Sequence, residues 1–93
     1  MNSVAWLLAT CGDASIRDGT GAVNYAKMAV EKTERKDANT LDTLAAAYAE
    51  AGQLDNAVSA QIEAMALLQD EHLKADFASR LRLYQANHPY HEQ

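Results

Sequence analysis

The stretch YAEAGQLDNAV, residues Tyr48 to Val58, decides how this chain folds. Its alanines, leucine and glutamate favour helix, but Gly52 stands in their middle. Inside one continuous helix a glycine costs about 1 kcal/mol. Between two helices it is useful, because it enters the left-handed conformation that ends a helix without a Cβ clash. The flanks favour the second reading. Leu41, Leu44, Ala45, Tyr48 and Ala51 form an apolar stripe at helical spacing that closes just before Gly52. Val58, Ile62, Met65 and Leu68 begin another stripe after it. Asp37 is placed to cap the first of these helices and Asp55 the second. Gly52 is therefore expected to be a corner between two antiparallel helices.

The same pattern recurs along the chain. Ala22, Val23 and Ala29 return as Ala57, Val58 and Ala64, each 35 residues on, and Trp6 returns as Leu41. Leu41, Tyr48 and Leu54 return as Phe77, Tyr84 and Tyr90, each 36 residues on. A period near 35 with helical content implies stacked helix pairs. The sequence thus predicts a single all-α domain of five helices, near 2–11, 20–35, 38–51, 54–69 and 71–87. Residues 2–36 form a first unit with a long loop at 12–21. Residues 38–69 form a second unit, and 71–87 a terminal capping helix. Residues 88–93 form an irregular polar tail that starts around Pro89.

Composition narrows the class of function. The chain has 93 residues, room for one modest core. Its net charge of −5 and pI near 4.9 argue against nucleic acid and anionic membranes, which need clustered Lys and Arg. The longest apolar run, VAWLLA, is too short to span a bilayer. LLATC before Cys11 superficially suggests a lipoprotein signal, but no basic residue precedes it. Cys11 is the only cysteine, so no internal disulfide can form, which fits a reducing, cytoplasmic setting. It has no basic neighbour or second thiol and reads as inert. His88, His91 and Glu92, with His72 apart, share no helix face and do not make a metal site. Lys27, Lys32, Arg35 and Lys36 gather near the end of the second helix, where they suit its dipole and can pair with Glu31 and Glu34. No phosphate-binding glycine loop, zinc-binding His pair or serine-nucleophile motif is present. No catalytic residue, metal or cofactor is expected, and the chain does not read as an enzyme.

Leu41, Leu44–Ala45, Tyr48, Gly52, Leu54, Ala57 and Ala64 resemble the tetratricopeptide repeat, a helix-turn-helix unit of about 34 residues. Gln61 departs where that pattern has an aromatic, and Gln69 replaces its closing proline. The first unit keeps Trp6, Ala22 and Ala29, and the third keeps Phe77, Leu81, Tyr84 and Tyr90. The whole is similar to the C-terminal repeats of larger bacterial proteins of that family. The resemblance implies an α-solenoid of about two and a half repeats whose first helices line a concave groove for a peptide or protein partner. In this chain the groove positions fall on Leu7, Leu8 and Cys11 in the first helix. In the third helix they fall on Asn39, Asp42, Thr43, Ala46, Ala49 and Glu50, and in the last on Ala78, Ser79, Arg82 and Gln85. The Lys and Asn set that clamps a terminal carboxylate in some repeats is missing.

Two functions follow. One is a non-catalytic protein–protein interaction module, with Asp42 and Glu50 attracting basic groups and Leu7 and Leu8 offering an apolar anchor. The other is structural: a C-terminal cap, or a self-association element, of a longer repeat protein. Val4, Trp6, Leu7 and Leu8 put apolar residues on more than one side of the first helix, which predicts a weak homodimer there. Lys74, Asp76, Arg80 and Arg82 are expected to make the outer side of the last helix polar. Trp6, Tyr48, Phe77 and Tyr84 are expected in the core rather than in an aromatic box for a ligand.

Overall fold

The computed structural model describes residues 2–12 and 15–91, and for Asn2 and Ser3 the backbone alone. It is all-α among these residues: α1 (Asn2–Thr10), α2 (Gly19–Lys32), α3 (Ala38–Glu50), α4 (Leu54–Ala66) and α5 (Glu71–Gln85). No helix among them is long and apolar enough to cross a membrane.

Gly52 is the corner. Its φ is +83°, the Gly52 amide donates to the Ala49 carbonyl at 3.1 Å, and the Gln53 amide to that of Tyr48 at 2.8 Å. These two bonds close the end of α3 around a left-handed residue. The same pair of bonds ends α2 at Glu34 (φ 54°) and α5 at Asn87 (φ 66°). Both helices therefore stop two or three residues earlier than the sequence pattern suggests, and α5 ends before Pro89 is reached. Helix α4 likewise ends at Ala66 rather than near Gln69.

The helix starts follow the acids in three cases. Asp18, Asp37 and Asp70 each accept a backbone amide at the head of α2, α3 and α5. Asp55 does not cap α4, contrary to the sequence reading. Gln53 holds the cap position without a side-chain bond to the backbone, and Asp55 lies one step inside the first turn. There its charge faces the positive end of the helix dipole.

Helix α3 is the hub, packing on α1, α2 and α4. Every residue from Thr40 to Ala47 is buried, as a helix surrounded on several sides requires. Small residues let the neighbours approach closely: Ala5 and Ala9 of α1, Ala22 and Ala26 of α2, and Ala57, Ala60 and Ala64 of α4 are all buried. Helix α4 keeps Val58 and Met65 of the predicted stripe half-buried against the core, with Leu68 just beyond its end. Its buried face is Ala57, Ala60, Gln61 and Ala64, while Ile62 points outward at 52% exposure. Gly19 also belongs to packing rather than to a loop. A Cβ there would stand 2.6 Å from the Ala51 nitrogen, so the first turn of α2 presses on the last turn of α3. The predicted loop at 12–21 accordingly shortens, since α2 already begins at Gly19.

Helix α5 packs on α4. Gln61, fully buried, donates from Nε2 to the Phe77 carbonyl at 2.9 Å. That bond explains why the chain carries an amide where the repeat pattern has an aromatic ring. Arg35 pairs with Glu63 of α4 (Nε to Oε2, 2.8 Å) rather than with its own helix, tying the end of α2 to the next hairpin.

Candidate functional site: the cleft between α1, α3 and α5

A cleft of about 480 Å³ opens where α1, α3 and α5 come together. Its apolar lining is Trp6, Leu73 and Phe77, and its polar lining is Asn39, Asp42, Thr43, Asp76 and Arg80. Trp6 is half-buried and Phe77 is buried, whereas Leu73 is 41% exposed and Asp76 lies at the surface. One side is thus an apolar shelf and the rim carries a carboxylate.

Arg80 is the centre of the site. Its guanidinium makes two parallel bonds of 3.0 Å to the Asp42 carboxylate, Nε to Oδ1 and Nη2 to Oδ2. It also lies over three rings: Phe77 at 4.9 Å, Tyr90 at 5.6 Å and Trp6 at 5.7 Å. An aromatic box for a cation therefore exists, and its cation belongs to the chain itself. Arg80 thus lies inside the cleft and not on the outer side of the last helix, where the sequence pattern puts it. The spacing that could have found it is local: Arg80 is three residues after Phe77 and four before Tyr84, on the face that both bury.

Asp42 is buried, and burial raises its pKa; Arg80 pulls it back only in part. Tyr84 is also held well above its usual value, first by burial and then by Asp42. A charge on Asp42 is thus tolerated because Arg80 is there, and both Asp42 oxygens are already engaged by it.

Glu50 is similarly engaged. Arg17 approaches it at 3.1 Å, and Nε2 of His91 lies 3.1 and 3.2 Å from its two oxygens. Glu50 sits in the last turn of α3, where the helix dipole disfavours an anion, so the Arg17 guanidinium and the hydrogen bond with the His91 ring have a clear physical role there. Arg17 also donates to the Cys11 carbonyl at 3.2 Å.

The residues expected to line a groove therefore divide. Asn39, Asp42 and Thr43 line the cleft. Ala46 and Ala49 are buried, Leu8 packs against the core, and Cys11 is half-buried. Leu7 is exposed at 50%, away from the cleft lining. On α5, Ser79, Arg82 and Gln85 are exposed and Ala78 half-buried; the helix turns Leu73, Asp76, Phe77 and Arg80 to the cleft instead.

The tail is docked, not frayed. Tyr90 packs on Trp6 with ring centroids 5.9 Å apart and planes tilted by 41°. His91 reaches Glu50 at the far end of α3. His91 is committed to Glu50, and Glu92 lies outside the described residues. Among the described residues no group of three or more His, Cys, Asp or Glu could hold a metal ion.

Two other hollows lack this combination. One, near 460 Å³, is lined by Gly52 to Asn56 and Asn87 at the α3–α4 corner. The other, near 350 Å³, lies beside Lys27, Leu44 and Tyr48. Set against protein-family models, curated proteins and solved structures, the chain matches none of them.

Proposed function

We propose that this chain is a non-catalytic interaction module of tetratricopeptide type, and that it binds a segment of a partner protein in the cleft between α1, α3 and α5. The observation that carries this reading is the cleft itself: an open hollow with Trp6, Leu73 and Phe77 on one side and Asp76 at the rim. A few apolar anchors surrounded by polar groups are the usual source of peptide affinity. The order in which the helices pack, each on the next, supports the repeat reading. Cofactors have no part in it, and nucleic acid is a poor partner for a chain of net charge −5.

The chain has one tryptophan, and it lies in the cleft, so binding there has a built-in optical signal. Peptides from a random array should be titrated against Trp6 emission. Saturable binding that weakens at least tenfold in Leu73→Lys, with the thermal melt unchanged, is expected. An array without a single saturable binder overturns the reading.

A second reading is favoured by Val4 and Leu7, exposed at 45% and 50% on α1. They give that helix an apolar outer side that another repeat unit or a second copy would cover. Sedimentation over a dilution series should then show weak association that Leu7→Lys abolishes. A monomer at every concentration removes this alternative.

A further inference from the structure

The chain itself occupies the cleft's edge beside Trp6. Asn87, in the left-handed conformation, turns the chain after α5 back on the helices. Pro89 follows, Tyr90 lies on Trp6 and Arg80, and His91 meets Glu50. The helices carry anchors of their own besides this strap. Helix α5 is held by buried Phe77 and Tyr84, by the Gln61 bond and by Arg80 on Asp42. The tail adds one aromatic ring and one imidazole, both only half-buried.

A segment anchored by two half-buried side chains opens far more easily than the fold does. Once open it uncovers two subsites at a fixed spacing. The first is a ring shelf formed by Trp6 and the Arg80 guanidinium, which suits the face of an aromatic residue. The second is the Glu50 carboxylate, which suits a cation. Arg17 stays on Oε1 of Glu50, which His91 shares, and Oε2, which His91 also reaches, is released.

We infer that the Tyr90–His91 strap is a displaceable internal occupant of the site, and that the external ligand it stands in for is a peptide in which an aromatic residue is followed directly by a basic one. This rests on the peptide-binding reading above and deepens it. It names the ligand's chemistry, and it makes the tail an autoinhibitory competitor. Being tethered, the tail competes at a high local concentration. The apparent affinity of any outside ligand is lowered by the fraction of molecules whose strap is closed.

The test uses the full chain, wild type and Tyr90→Ala/His91→Ala, with the probe peptide acetyl-Gly-Pro-Tyr-Lys-Gly-amide. Its control carries Ala for Tyr. If the strap is closed in about nine molecules of ten, the double variant should bind the probe about tenfold more tightly than wild type. Its melting temperature should stay within a few degrees of wild type. Glu50→Gln in that background should take most of the gain away. In wild type, probe binding should move the Tyr90 ring resonances toward those of a free tyrosine, a readout that stands even if the double variant folds poorly. Equal affinity for wild type and double variant, or equal binding of the Ala control, overturns the inference. If this probe fails while other array peptides bind the cleft, the inference falls and the general reading stands. If nothing binds, both fall.

Discussion

Arg80 and Asp42 face each other from α5 and α3, thirty-eight residues apart in sequence, through two parallel bonds of 3.0 Å. The side chains are 15% and 8% exposed, so water does little to screen or replace the pair. Removing one partner leaves the other as an uncompensated buried charge, which costs about 3–5 kcal/mol. Arg80→Leu should therefore cost about that much in urea unfolding. Asp42→Asn should cost less, about 1–2 kcal/mol, because the amide oxygen still accepts and Arg80 keeps its three rings. The double variant should cost less than the sum. Additive costs would show that the two groups do not interact in solution.

Gly52 is a matter of backbone rather than space. A Cβ built on it meets nothing within 4 Å, yet its φ is +83°. Gly52→Val should destabilise the domain by about 1–2 kcal/mol through left-handed strain alone. Gly52→Asn should cost clearly less, since Asn enters that region more readily. Equal melts for the Val and Asn variants would contradict this.

Gly19 is the opposite case. There the obstacle is the backbone of Glu50 and Ala51 at 2.6–2.7 Å, which cannot rotate aside. Gly19→Ala should cost about 1–3 kcal/mol by forcing α2 off α3. Gly21→Ala meets only the Asp18 carboxylate, a side chain that can shift, so it should cost no more than the loss of that cap, about 1 kcal/mol. A milder melt for Gly19→Ala than for Gly21→Ala would show that the two helix ends do not touch.

Asp42 and Glu63 should respond to acid in opposite senses. Burial raises the Asp42 carboxyl, with Arg80 opposing. A carboxyl raised on folding binds more protons native than unfolded, so its contribution to stability falls as pH rises through the window between the two values. Glu63 is lowered, chiefly by its hydrogen bonds from Arg35. Its contribution is present above the unfolded value of about 4.3 and is lost as pH falls through the lower folded one. That second effect is small, because the Glu63 side chain is 39% exposed. On acidification from about pH 7 to about pH 3, Asp42→Asn should lose more stability than wild type and Glu63→Gln less. Shifts of the same sign in both variants would refute the assignment.

Local rules were enough for the elements. The apolar stripe ending at Ala51, the glycine after it and Asp37 before α3 are short-range signals, and with the 35-residue period they place five helices and the Gly52 corner. Asn87 and Glu34 end their helices through left-handed caps that residue type alone did not announce, because neither is glycine. The buried face of α4 could not be read from hydrophobicity either. Close approach to α3 selects Ala57, Ala60 and Ala64 over the larger Ile62, and closeness is a property of two helices together.

The sequence by itself determined what depends on a few neighbouring residues: helix, corner, cap, charge and the lack of a catalytic motif. Tertiary structure alone decided the character of the cleft. Asp42 and Glu50 read as open acids because each stands among polar or small residues in its own helix. Their partners Arg80, Arg17 and His91 arrive from 30 or more positions away in sequence. Tyr90 reads as tail and becomes part of the site, because Asn87 turns the chain back toward Trp6. A charge or a ring acts on whatever lies within a few ångströms of it, and that neighbourhood exists only once the helices have packed.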